Sequence, residues 1–313
     1  MSRDVGLGGA WDSSLVGLRA ADQRVADVAY RIVTANVMLC ADRAPQAGLV
    51  LQDTLEFSPR LRPAAAAAFH LDERPTVEIV AVGSPAARAG LRPDDVLLAI
   101  DDAPLTPPAP RAASGADTRP ASHTPIEAAQ ARITQALSPV GATFTVRRGE
   151  ATLRLAVSGQ PGCAYDAQVL PGSALTASAD GRHVFISAAL VNYARSDDML
   201  ALVLGHEFAH DVLRHRRRLD QIGYRALGDL GSTPASLRLA EKEADYVGLY
   251  LTARAGYDIS QAPEFWRRFP GADGDLSWSH PGAAERAASL AATRDEILGK
   301  LKAGQPLVPS PAG

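Results

Sequence analysis

Residues 196–213 constrain this chain more than any other stretch, because they read as a buried helix that nevertheless carries ionisable side chains. Ser196 can cap such a helix, and Asp197 and Asp198 suit its positive N-terminal end. Met199, Leu200, Ala201, Leu202 and Val203 make it apolar on every side, so the element belongs inside the molecule. Polar groups on a buried helix need partners. His206 and His210 are about 40° apart on the helical wheel and about 6 Å apart along the axis, so one rigid element can present both imidazoles to one ion. Glu207 lies about 100° round from His206, badly placed for the same coordination but able to reach a water on that ion. A helical HExxH of this kind fits metal-assisted hydrolysis of a peptide bond, with Glu207 as general base.

Two histidines leave the coordination short of a third protein ligand. Thr233 and Pro234 make a good start for a further helix. In it Glu243 shares a face with Leu239, Ala240, Val247 and Tyr250, and a carboxylate on an apolar face calls for a cation. Glu243 is therefore the expected third ligand, with Glu241 and Lys242 read as surface charges. His215 falls nearly opposite His206 on a straight helix, which makes it a supporting or surface residue within the basic run 214–218.

The rest of the chain organises around this centre. Residues 22–40 show an apolar face at helical spacing, and 49–57 look extended. A second unit starts near Pro63, with strands expected at 76–82 and 95–100, a helix at 126–137 and a hairpin over 143–157. Between them, 103–125 is rich in Pro, Ala, Ser and Thr and reads as a flexible insertion; His123 in it reads as an exposed loop residue. The run 80–102, which contains Gly83-Ser84-Pro85-Ala86 and Ala89-Gly90-Leu91, resembles a PDZ domain of the bacterial type. That resemblance implies a groove pairing with an extended peptide, its binding loop near Phe69 and His70. After 159 the pattern is mainly helical. A hairpin turn falls at Asp180-Gly181, and helices are expected near 197–219, 234–255 and 281–301.

At 46% apolar and 21% charged residues the chain can build a real core, and its net charge of −3 gives no basic excess for nucleic acid. No stretch nears the roughly 18 apolar residues of a membrane span. Cys40 and Cys163 are too far apart in sequence for a paired metal motif; two buried thiols and one long-range disulfide both fit, the latter in an oxidising compartment. The first residues lack a signal-peptide pattern, which leaves an internal protein or a trimmed leader.

The runs Gly205–His210 and Glu243–Gly248, followed by Ser279, His280, Pro281 and Arg286, resemble the zinc endopeptidase family of HtpX and the CAAX prenyl endopeptidases. The resemblance implies one zinc per chain on His206, His210 and Glu243. It places His280 and Arg286 at the active site beside the catalytic Glu207, and gives Asp245 a structural hydrogen bond. It also implies an edge hairpin holding the substrate backbone, here near Thr176 and Ala177. His280 has two possible roles, donating to the developing oxyanion or gating the metal. The fold expected is α+β, a mainly helical zincin-type peptidase core with an edge hairpin plus a PDZ-like β-rich domain. Its parts are 1–62 within the peptidase core, 63–158 as the PDZ-like unit and 159–313 as the metallopeptidase. The expected partners are protein or peptide substrates and a peptide ligand of the PDZ-like unit. The setting implied is the periplasm or cell envelope with protein quality control, a cytoplasmic place staying open. The alternative is a weakly catalytic, chaperone-like binder on the same fold.

Overall fold

A computed structural model describes residues 11–105, 119–138, 140–221, 234–270 and 282–310. In chain order the elements begin with α1 (Trp11–Ala35), β1 (Arg43–Gln46), β2 (Leu49–Gln52), α2 (Arg62–Phe69), β3 (Thr76–Val80), α3 (Pro85–Arg88), β4 (Val96–Ile100) and β5 (Ala103–Pro104). They continue with α4 (Thr124–Ala136), β6 (Ala142–Arg148), β7 (Ala151–Val157), β8 (Gln160–Cys163), β9 (Asp166–Leu170), β10 (Ala177–Ala179), β11 (His183–Ser187) and α5 (Ala188–Tyr193). The last are α6 (Asp197–Val212), α7 (His215–Gln221), α8 (Pro234–Arg254), α9 (Ala262–Arg268) and α10 (Ala283–Lys302). The mixture of helix and sheet expected from the sequence is present.

Two large cores divide the work. One is the PDZ-like core, where the six-stranded sheet β2-β3-β4-β6-β7, with β5 on β4, packs Leu51, Val77, Leu97, Phe144 and Val146 against Ile126, Ala129 and Ile133 of α4. β2 is an edge strand of this sheet, so the sheet reaches back to Leu49, before the expected start at 63. α4 starts at Thr124 with Pro125 in its first turn, where a missing N–H costs nothing, which shortens the expected insertion. Most of that insertion, 106–118, lies outside the described residues. His123 is not a free loop residue, since its Nδ1 lies 2.9 Å from Glu56 Oε1.

The other core joins α1 to the half that carries His206 and His210: Val25, Val28 and Ile32 meet Val169, Ile186, Leu200, Val203, Phe208, Tyr250 and Leu251. α1 starts earlier than expected and ends at Ala35, where buried Asn36 takes over, donating to Ile32 and Leu251 carbonyls at 2.9 Å each. A disulfide joins Cys40 to Cys163 (Cα–Cα 5.5 Å) beside the antiparallel pair β1-β8, which settles the choice that the sequence left open. The bridge closes the chain at the base of the PDZ-like sheet, just before and after the strands that make it. Among the described residues no helix is long and apolar enough to cross a membrane.

The sheet β10-β11-β9 carries the expected hairpin. Gly181 adopts φ 106°, and Asp180 Oδ1 accepts from the backbone N–H groups of Arg182 and His183, so the turn is fixed by the two residues that predict it. The helix expected over 197–219 breaks in two. Arg214 is left-handed (φ 55°), held by its ion pair with Asp42, and α7 sets off in a new direction at His215.

Candidate metal centre

Ser196 starts α6 as expected, its Oγ accepting from Met199 N–H at 3.2 Å. One helix-helix crossing then builds the site. Gly205 of α6 and Gly248 of α8 let the two backbones touch: a Cβ on Gly248 would lie 2.8 Å from Gly205 O and from His206 N and Cα. Thr252 seals the same contact by donating to the Ala201 carbonyl at 3.0 Å. The face of α8 turned to α6 is therefore the small-residue stripe Ala244, Gly248 and Thr252. Glu241 and Asp245 sit beside that stripe, seven and three residues before Gly248.

This crossing decides which carboxylate lies beside the two histidines. His206 Nε2 and His210 Nε2 are 3.3 Å apart, and the Glu241 carboxylate lies 3.3 Å from the first and 3.6 Å from the second. The three side chains form the one group of potential metal ligands found among the described residues. Glu243, the carboxylate expected there, points to the opposite side of α8, where it meets His215 Nε2 at 2.9 Å and Arg218 at 2.7 Å. Two residues along a helix is about 200°, so both carboxylates cannot face the same histidines. Leu239, which helped to place Glu243 on a buried face, is itself exposed.

The donor set fits a zinc ion. Bonds of about 2.0–2.2 Å in a tetrahedron put neighbouring ligand atoms roughly 3.3–3.6 Å apart, the spacing these three side chains already have. Two imidazoles and a carboxylate leave one position open, as catalytic zinc requires.

His206 is held from behind. Its Nδ1 lies 2.9 Å from Asp245 Oδ1, and Arg286 clamps both oxygens of that carboxylate at 2.6–3.1 Å. The Arg286 guanidinium in turn lies 3.6 Å above the Trp266 ring. Asp245 thus makes the hydrogen bond expected of it, and makes it to a histidine of the pair, on the side judged to face away. Arg286 reaches the site through Asp245, its Nη2 also lying 3.3 Å from His206 Nδ1. His280 lies outside the described residues.

Electrostatics follow from this burial. Burial alone would push His206 down, but Asp245 and Glu241 outweigh it and drive the imidazole up. Burial and the neighbouring His206 push His210 down. Burial lifts Glu207 to about 7, poised to take and return a proton near neutrality.

The hairpin flanks the same helix. β10 is an edge strand, and no described strand pairs with its outer side. The Thr176 backbone is used internally, its carbonyl accepting from Ser187 N–H at 2.9 Å. Alternation in an antiparallel pair then turns the N–H and C=O groups of Ala177 and Ala179 outward. Of the two residues expected to hold substrate, Ala177 has the free backbone. Asp211, next to His210, fixes the hairpin tip by accepting from Gly181 N–H at 2.8 Å.

Residues 147–228 and 224–294 match the model of peptidase family M48, and residues 76–111 match a PDZ domain. The mitochondrial metalloendopeptidase OMA1 of Arabidopsis thaliana is 34% identical over 130 residues, covering 34% of this chain and 27% of that protein. The Schizosaccharomyces pombe OMA1 is 30% identical over 132 residues, covering 34% of this chain and 39% of its own length. A putative beta-barrel assembly-enhancing protease of Vibrio cholerae is 28% identical over 118 residues, 28% of this chain and 24% of that protein. The matches thus span well under half the length of these relatives. Neither the family model nor these relatives single out the HtpX or CAAX prenyl type.

Proposed function

We propose that this chain, a metallopeptidase joining a peptidase family M48 region to a PDZ domain, is a zinc endopeptidase of protein substrates. The observation that carries the reading is the convergence of His206, His210 and Glu241 at tetrahedral ligand spacing, one residue from the buried Glu207. These three side chains would hold the ion, which would supply Lewis acidity to the scissile carbonyl and make the attacking water more acidic. Asp245 and Arg286 hold His206 in the tautomer that leaves Nε2 free for the metal. Glu207 accepts the proton of the attacking water and delivers it to the departing amine nitrogen. The outward peptide groups of Ala177 and Ala179 align the substrate as an added strand, with the hairpin tied to α6 through Asp211.

The PDZ domain supplies a second extended-peptide site. β2 is an edge strand, and α4 packs beside it in the same core, so the β2–α4 groove rather than the Phe69–His70 segment is its natural place. An envelope setting with a role in protein quality control is supported by the Cys40–Cys163 disulfide, which persists in oxidising compartments. It is supported also by the likeness to the Vibrio protease. The shared HExxH and EAD runs support kinship with HtpX and the CAAX prenyl endopeptidases within the family.

The test pairs two substitutions on unfolded protein substrate. Glu207→Gln should keep one zinc per chain and abolish cleavage, whereas Glu241→Gln should lose both. Cleavage by Glu207→Gln at the wild-type rate overturns the mechanism. Full zinc retention by Glu241→Gln overturns the ligand assignment.

A further inference from the structure

His206 has its carboxylate partner, and a second chain of contacts ends on His210. His210 Nδ1 lies 2.9 Å from His215 Nδ1, and His215 Nε2 lies 2.9 Å from Glu243 Oε2. Arg218 Nη1 donates to that same oxygen at 2.7 Å. His215 is 2% exposed, so its two ring nitrogens must find their partners within the protein. The left-handed turn at Arg214 makes this possible. On a continued α6, His215 would project well away from His210; the turn brings it back beside that ring.

We propose that His215, Glu243 and Arg218 form a positioning relay for His210, fixing the tautomer in which Nε2 faces the metal. The proposal rests on the reading that His210 is a ligand, and it deepens that reading. If Nε2 binds an ion, the neutral ring must carry its proton on Nδ1. That N–H donates to His215 Nδ1, which must then be an acceptor. His215 consequently carries its proton on Nε2 and donates it to Glu243. Every proton in the chain is assigned by the one before it, and Arg218 holds the terminal carboxylate in place. The two histidine ligands are thus supported differently. His206 leans directly on a carboxylate, and His210 reaches one through a second imidazole. Glu243 therefore serves the metal centre from the far side of α8 without touching the ion.

The experiment measures zinc affinity of the full chain by competition with a chromophoric chelator, together with thermal midpoints of apo and zinc-loaded protein. His215→Ala should weaken zinc roughly 10–100-fold, the range for losing a partner behind a ligand. His215→Gln carries an acceptor and a donor on one amide and should restore affinity to within about threefold of wild type. Glu243→Gln, on the less buried member, should fall between them. The gap between apo and loaded midpoints should shrink in the Ala variant, because ligand-linked stabilisation scales with affinity. Equal zinc affinity in wild type, His215→Ala and Glu243→Gln, with all midpoints lowered alike, overturns the relay and leaves a packing role. Wild-type protein that binds no zinc overturns the underlying ligand reading instead. If His215→Ala does not fold, the Gln and Glu243 variants decide: both at wild-type affinity supports His215→Gln rescue but removes Glu243 from the relay, and overturns the proposal as stated.

Discussion

Replacing Gly248 by alanine sets two known effects against each other at one atom. In a solvent-facing helix the change should stabilise by about 1 kcal/mol, because alanine is the better helix former. Gly248 does not face solvent. The new Cβ would sit 2.8 Å from three backbone atoms of Gly205 and His206, none of which can rotate away. Carbon contacts settle at about 3.5–4.0 Å, so α8 and α6 must part by roughly 0.7 Å or more. Overpacking of this kind costs about 1–3 kcal/mol, which outweighs the propensity gain. The displacement also moves Glu241 relative to His206 and His210 by more than the roughly 0.5 Å that a functional constellation tolerates. Gly248→Ala should thus lower the thermal midpoint of the apo protein and also weaken zinc at least tenfold. Gly299 in α10 is the control, since a Cβ there meets nothing within 4 Å. Gly299→Ala should stabilise by up to about 1 kcal/mol and leave zinc affinity alone. Calorimetry of apo and loaded protein with a chelator titration reads both quantities. If the two alanine variants behave alike, the backbone contact does not govern the site and the reasoning fails.

Three further outcomes follow from other parts of the molecule. The bridge between Cys40 and Cys163 spans 123 residues, for which chain entropy predicts about 5 kcal/mol; the double serine variant should lose most of that in denaturant unfolding, and a loss under about 1 kcal/mol contradicts it. Burial and nearby Glu56 push Asp53 up to about 7, so the folded state binds more protons than the unfolded one between about pH 4 and 7, and stability falls as pH rises through that window. Asp53→Asn keeps a good capping residue and should stabilise by on the order of 2–4 kcal/mol at pH 8 but little at pH 4; equal urea midpoints of the two proteins at pH 8 rule this out. Asp211→Ala frees the hairpin tip from α6 and should raise KM on a short peptide up to about tenfold, the worth of one hydrogen bond, while kcat and zinc content hold; a loss confined to kcat contradicts the anchoring role.

The sequence made the central helix legible because burial, capping and ligand spacing all act within one element. Ser196, His206 and His210 needed no tertiary information. The hairpin was legible for the same reason, its Asp180-Gly181 turn carrying its own geometry. Which carboxylate lies beside His206 and His210 depends on which face of α8 meets α6, and there the usual signal pointed to Glu243 rather than Glu241. Large apolar residues mark a face buried in a spacious core, but at a close crossing the contact is made of small ones. Gly248, Ala244 and Thr252 were the available sign, with Glu241 and Asp245 at helical spacing from them. His215 was less accessible still. Its place depends on a left-handed arginine, a conformation that non-glycine residues adopt rarely and that no local pattern announces.

The position of α1 ties the PDZ-like sheet to the helix that carries His206 and His210. Its face toward the catalytic half contributes Val28 and Ile32 to the core that contains Leu200 and Tyr250. From the same helix Gln23 donates to the Val80 carbonyl, and Asp27 accepts from Val82 N–H at 2.7 Å, both at the end of β3 in the PDZ sheet. Arg24 reaches the other way, to Asp197 at the start of α6 and to the Val191 carbonyl. One helix thus bonds to the PDZ-like sheet and to the N-terminus of α6 within two turns of its length. The disulfide closes the same junction covalently, below β1 and β8. Both units therefore hydrogen-bond to one helix, through Gln23 and Asp27 on one side and Arg24 on the other.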